Sequence, residues 1–306
     1  MIKIFIDGAE GTTGLVIRDR LKDYQGIEII TLPEELRKDV TARTEAMNQA
    51  NLVFLCLPDA AAKEAVTFIT NPNTIVIDTS TAHRTNDEWT YGFAELTGQK
   101  DKIKKAKRIA NPGCHASGFI ALVAPLVEAG IIDKSEFLSA FSITGYTGGG
   151  KKMIAEYEGD CPELYKAPRQ YGLTQAHKHI PEMLKFCSLT TKPCFCPIVA
   201  NYPRGMEVTV SLSQRKDGVG IEQIKQVYKN YYKGKMVYFN DQADENGFLS
   251  AKALEYKDSL EVSVHGNDQN ILLVARFDNL GKGASGAAIQ NMNLVLGFDE
   301  VKGLNV

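Results

Sequence analysis

The stretch IKIFIDGAEGTTGLVIRDRL, residues 2–21, decides how the chain begins to fold. Ile2 to Ile6 is apolar and β-branched and reads as a buried strand, whereas Gly14 to Leu21 reads as a helix. Gly8, Gly11 and Gly14 fall in the turn between them. A tight turn, close backbone approach to a pyrophosphate and helix N–H groups aimed at it would each require a missing side chain. The spacing is G-x-x-G-x-x-G, which departs from the strict dinucleotide fingerprint.

The pattern continues outward from that turn. Ile27 to Thr31 reads as a second strand and Thr41 to Gln49 as a helix; LVFLCLP, Leu52 to Pro58, reads as a buried strand. Ala60 to Ile69 follows as a helix and TIVIDTS, Thr74 to Ser80, as the next strand. Alternating strands and helices with continuously apolar strands predict an α/β fold with a doubly wound parallel sheet. From about residue 135 the texture changes to strands at 137–146, 207–213, 260–266 and 271–279, with a helix over 221–233. These predict a mixed or antiparallel sheet, and Ala284 to Leu296 reads as a closing helix.

The 306 residues leave room for two domains, and 44% hydrophobic with 24% charged residues is an ordinary globular balance. Net charge is −2, and the one locally basic run, KDKIKKAKR at 100–108, reads as a solvated surface segment, which argues against a nucleic-acid partner. Met1 leads at once into a strand with no signal-peptide pattern, and no apolar run reaches membrane-spanning length, so the cytoplasm is expected and no membrane partner. Six cysteines in a chain of this size are expected to be free thiols. Cys187, Cys194 and Cys196 follow His177 and His179, but PCFCPIVA alternates like a strand and spaces its sulfurs unlike a zinc knuckle, so no metal is expected.

ANPGCHASGF, residues 110–119, carries the chemistry. Asn111-Pro112-Gly113 reads as a turn and Ala116 onward as a buried helix, placing Cys114 at a helix N-terminus. Unpaired N–H groups and the positive end of the helix dipole there favour a thiolate, which is nucleophilic. QAHKHIPEM supplies His177, His179 and Glu182, and a Cys–His couple provides a nucleophile with a general acid/base. ITGYTGGGKK, 143–152, reads as a glycine-rich loop carrying two lysines. After the second strand, TLPEELRKD leaves two options open: Glu34 or Glu35 on a ribose hydroxyl, or Arg37 or Lys38 on a 2′-phosphate.

GAEGTTG, DTSTAHR, YGFAEL, NPGCHASG, HKHIPEM and DNLGKGASGAAIQNMNLVLG, in this order, resemble the short type of the N-acetyl-γ-glutamyl-phosphate reductase family, over nearly the whole chain. The resemblance implies an NADP-binding Rossmann domain, 1–113 plus 282–306, and a catalytic and oligomerisation domain, 114–281, like that of glyceraldehyde-3-phosphate dehydrogenase. It implies Cys114 as the acylated nucleophile, His177 as acid/base, His179 and Glu182 as residues that support or contact substrate, and Arg84 and Ser117 as candidate anion contacts. Gly8, Gly11, Thr12, Thr13, Gly14, Arg37 and Asn279 would hold NADPH, and the active form would be a homo-oligomer. His115 departs from that family's pattern, where an aromatic is expected.

The implied reaction is reduction of a small acyl phosphate through a cysteine thioester, in arginine biosynthesis. The same chemistry on a shorter acyl phosphate, as in aspartate-semialdehyde dehydrogenase, is compatible with these motifs, as is a carrier-protein-linked aminoadipyl-phosphate reductase. A thiol hydrolase would not need the glycine turn, and an NADP-binding redox sensor would not need the paired histidines.

Overall fold

In the computed structural model, residues 1–22, 24–213, 215 and 218–306 are described. They fall into two compact units, Met1–Pro112 with Ala287–Leu304, and Gly113–Gly286 with Asn305–Val306.

In the first unit, β1 (Ile2–Asp7), β2 (Ile27–Ile30), β3 (Leu52–Leu55), β4 (Ile75–Asp78), β5 (Thr90–Tyr91) and β6 (Arg108–Ala110) form a parallel sheet in the order β2-β1-β3-β4-β6-β5. Helices α1 (Thr12–Leu21), α2 (Val40–Gln49), α3 (Asp59–Thr67) and α4 (Gln99–Lys105) connect them. β3 and β4 are buried along their whole length, as expected where helices cover both faces of a parallel sheet. The strand order reverses beside β1, and in open parallel sheets ligands bind at such a switch point, beyond the C-terminal strand ends. The glycine turn emerges there.

The second unit is built on α5 (Cys114–Glu128), twelve of whose fifteen residues are buried. A mixed sheet carries it: β7 (Ser139–Gly145), β8 (Arg169–Gln170), β9 (Cys194–Ala200), β10 (Met206–Ser213), β11 (Val237–Phe239), β12 (Leu260–Gly266) and β13 (Asn270–Phe277), in the order β11-β12-β13-β10-β7-β9-β8. β7 with β9 and β11 with β12 pair in parallel and the remaining neighbours antiparallel. Along β10, Met206, Val208, Val210 and Leu212 are buried, while Glu207, Thr209, Ser211 and Ser213 face the other way. α5 packs on the buried face so closely that a Cβ on Gly118 would sit 2.5 Å from the Val208 side chain and 2.9 Å from that of Phe277. α6 (Gly150–Glu158), α7 (Ile180–Phe186) and α8 (Ile221–Tyr231) complete this unit.

α9 (Gly286–Leu296) returns the chain to the first unit, where Ala288, Ile289 and Met292 join Ile4, Ile6 and Ile77 in one core.

Two local expectations are corrected. The ITGYTGGGKK segment is no open loop: after β7 it makes a 3₁₀ turn, Tyr146–Gly149, and runs into α6. Thr147 Oγ1 donates to Pro203 O at 2.6 Å and Tyr146 stacks on Tyr157 at 4.8 Å, contacts that lie too far along the chain for local propensity to foresee. Likewise Gly281–Ser285 forms a π-helical turn, so the closing helix starts at Gly286.

Candidate active site

The glycine turn of the first unit is a cradle with no room for side chains. Gly8 has φ +83°, and a Cβ on it would run into the Cys56 carbonyl; one on Gly14 would strike the carbonyl oxygen of Gly8. Gly11 donates its N–H to Gly8 O at 2.9 Å, and as N-cap of α1 it leaves that helix start without a side-chain cap. Thr12 Oγ1 is buried and has no hydrogen-bond partner among the described residues, and Thr13 lies on the same first turn. An uncapped helix start, an orphaned hydroxyl and an excluded Cβ fit a bound phosphate. The adjoining cleft, about 600 Å³, is walled by Gly8, Glu34, Glu35, Arg37, Lys38 and Arg43. Arg43 is held against Asp7 at 2.8 Å, and Arg37 lies 3.4 Å from Glu10.

Arg84 of this unit is buried rather than open to an anion: its Nε donates to Asn111 O at 2.8 Å and Nη2 to Thr79 O at 3.1 Å. It ties together the segments that follow β4 and β6. Nearby, Asp78 accepts from Ser80 N–H and Oγ–H and lies 2.7 Å from His83 Nδ1, while His83 stacks on Trp89. The set lies within residues 78–89, and no role for its Asp78–His83 pair is legible in the sequence, because only the fold shows that both are buried.

In the second unit Cys114 is the first residue of α5, two positions earlier than expected, and Gly113 caps the helix without a side-chain bond. The packing around it is tight: a Cβ on Gly283 would come within 2.9 Å of Cys114 Cβ. Glu182 is buried and Oε2 accepts the Gly113 N–H at 3.0 Å, so α7 anchors the start of α5. Ser117 is buried too, with Oγ donating to Gly113 O at 3.0 Å, a bond within the helix that leaves no anion contact. Glu182 is thus placed to support the start of the nucleophile's helix, while the Ser117 hydroxyl proton is committed to the helix backbone.

His115, next to the cysteine, gathers the histidines. Its ring lies 5.6 Å from His177, 5.5 Å from His179 and 5.2 Å from Phe195. His177 and His179 rings are 4.8 Å apart. Burial, with the charge of Lys178 adding to it, pushes His177 down to about 4, so its ring is neutral near pH 7. His179 N–H donates to His177 Nδ1 at 3.2 Å, leaving the ring proton on Nε2. His177 and His179 thus gather around the residue next to Cys114, and the Asn279 amide is tied to Gly205 N–H at 3.0 Å and Thr147 Oγ1 at 2.9 Å. Among the described residues, no group of three His, Cys, Asp or Glu is arranged to hold a metal.

A glycine cradle at the switch point of one unit, with a helix-start cysteine among histidines in the other, defines the class of semialdehyde dehydrogenases. Residues 3–106 match the semialdehyde dehydrogenase NAD binding domain and residues 114–279 its dimerisation domain. Solved structures agree in fold: aspartate semialdehyde dehydrogenase II of Vibrio cholerae complexed with ASA (TM-score 0.73, 15% identity, 97% of this chain and 98% of that one). The Candida albicans aspartate semialdehyde dehydrogenase with NADP superposes at TM-score 0.69 with 14% identity, over 97% and 98% of the two chains. Sequence draws the circle tighter. N-acetyl-gamma-glutamyl-phosphate reductases of Brucella suis and Brucella ovis are each 43% identical over 96% of this chain and 99% of theirs. The chain belongs to the N-acetyl-γ-glutamyl-phosphate reductase family.

Proposed function

We propose that the protein reduces N-acetyl-γ-glutamyl phosphate to N-acetylglutamate 5-semialdehyde with release of phosphate, the reductive step toward arginine, in the cytoplasm. The observation that carries this reading is Cys114 at the uncapped start of α5, with His177 packed 5.6 Å from the ring of its neighbour His115.

The helix start favours the Cys114 thiolate, which attacks the acyl carbon. The C–O bond to phosphate breaks and a thioester remains on Cys114. A reduced nicotinamide dinucleotide, when bound at the Gly8–Gly14 turn, supplies the hydride that the thioester carbon accepts. Backbone N–H groups at the start of α5 and His177 Nε2–H then hold the oxyanion. Its collapse returns the electron pair to sulfur and frees the aldehyde, so the cycle closes on the thiolate with no net proton taken from His177. In this reading His177 acts as a neutral hydrogen-bond donor, in place of the acid/base that the resemblance implies.

NADP is the preferred dinucleotide in this reading, because Arg37 and Lys38 stand in the cleft wall where a 2′-phosphate would lie; Glu34 and Glu35 share that wall. A higher kcat/KM for NADPH than for NADH is the expected outcome, and an equal or reversed ratio refutes it. A homo-oligomer formed through the open sheet face is supported by Phe141 and Leu272. They are exposed on the same side, linked through Thr209 and Ser211.

The reaction is tested in reverse with NADP⁺, phosphate and either N-acetylglutamate 5-semialdehyde or aspartate semialdehyde. Reduced-nicotinamide absorbance should rise with the first and barely with the second. Preference for aspartate semialdehyde would transfer the reading to the shorter acyl phosphate.

A further inference from the structure

The bonds of His115 lead to a residue the mechanism above does not use. On β7, Ser142 is fully buried, and its Oγ lies 2.7 Å from His115 Nδ1, its one hydrogen-bond partner among the described residues. A buried hydroxyl proton needs an acceptor, because leaving it unpaired costs about 1–3 kcal/mol. Nδ1 is that acceptor. Burial, and the nearby His177, push His115 down to about 3, so its ring is neutral and carries a single proton. That proton therefore sits on Nε2, which donates to the Tyr171 phenol oxygen at 2.6 Å. The phenol, receiving a hydrogen bond, keeps its own O–H to give.

Tyr171 is fixed in place for giving it. Its backbone N–H bonds Pro197 O at 2.9 Å, directly after β8 pairs with β9, and its ring stands 5.9 Å from that of His177. Burial raises the phenol above its usual range, so the proton stays on, and the hydrogen bond to His115 holds the phenol on the residue next to the nucleophile.

We propose that Tyr171 is a further catalytic residue, whose O–H donates to the carbonyl oxygen of the acyl group on Cys114, and that Ser142 and His115 are positioning residues that orient it through one relay. The acyl role rests on the function proposed above; the relay does not.

Tyr171→Phe keeps the ring and its packing while removing the O–H. Its kcat should fall about 100-fold, the size expected for one lost oxyanion donor, with KM changed less than about threefold. Ser142→Ala should lower kcat by a smaller factor, and ¹⁵N shifts of the histidine rings should show His115 protonated at Nε2 in the native protein and losing that preference in Ser142→Ala. Should Tyr171→Phe melt at a lower temperature than the native protein, 3,5-difluorotyrosine at 171 replaces it. That more acidic phenol should bring an alkaline loss of kcat to lower pH. Native turnover with an unchanged Tyr171→Phe or an unshifted fluorotyrosine profile overturns the proposal alone, as does a His115 protonated at Nδ1. A native protein that turns over neither semialdehyde overturns the function and the acyl role with it.

Discussion

Cys114 owes its chemistry to where α5 begins, and substitution there separates chemistry from binding. Serine in its place has a far weaker acid than a thiol, so almost no anion exists near neutral pH. Cys114→Ser should reduce turnover by at least about 1000-fold while dinucleotide affinity, read by fluorescence titration, stays within about twofold, since the glycine cradle belongs to the other unit. His177 gives a pH test. An ordinary histidine protonates near 6.5, whereas burial holds His177 near 4. Its neutral, donating form therefore persists as pH falls from 8 to 5, and kcat at saturating substrate should show no inflection between 6 and 7; one that vanishes in His177→Ala would contradict this. The sequence made Cys114 and His177 legible because helix-start and Cys–His logic act locally. It gave no sign of the bonds that Glu182, Arg84 and Asn279 make to backbone groups 69, 27 and 74 positions away, which only folding brings near. Tyr171 was invisible for the same reason: its partner His115 is 56 positions away.

Among the elements, β1, the glycine turn and α1 were the most readable, since a strand, a missing Cβ and a helix each leave a mark within a few residues. The two-residue strands β5 and β8 left none, because they are strands only through their neighbours' hydrogen bonds. The turn offers a sharp test. A methyl group on Gly14 meets the carbonyl oxygen of Gly8, a backbone atom that cannot swing aside. Gly14→Ala should therefore weaken dinucleotide binding about tenfold or more, equivalent to about 1.4 kcal/mol. Alkylation of Cys114 by iodoacetamide should proceed at the native rate, because the thiol sits in the other unit. Equal dinucleotide affinity in calorimetry would mean that the cofactor does not rest on this turn.

For the whole molecule, the change of texture near residue 135 marks a second kind of sheet, but the units divide earlier, between Pro112 and Gly113, and nothing local in α9 marks its return to the first. An oligomer is expected from the open sheet face, and Phe141→Glu should shift light-scattering mass toward the monomer; a native protein that is monomeric at micromolar concentration would remove the basis for that. A chain ended at Gly286 should lose dinucleotide binding, since Ala288, Ile289 and Met292 would be gone from the core that backs β1. That same return shapes how the protein is made. Synthesis runs from the N-terminus, so residues 1–112 leave the ribosome long before α9, and they wait with the core around Ile4, Ile6 and Ile77 closed by Ile17, Leu21 and Ile103 but not by Ala288, Ile289 and Met292. Apart from its last two residues, the second unit is complete once Gly286 has emerged. The nucleophile's unit can thus be the first to mature, and the first unit, though translated earlier, the last; in the interval a chaperone or an aggregating neighbour would meet the dinucleotide half.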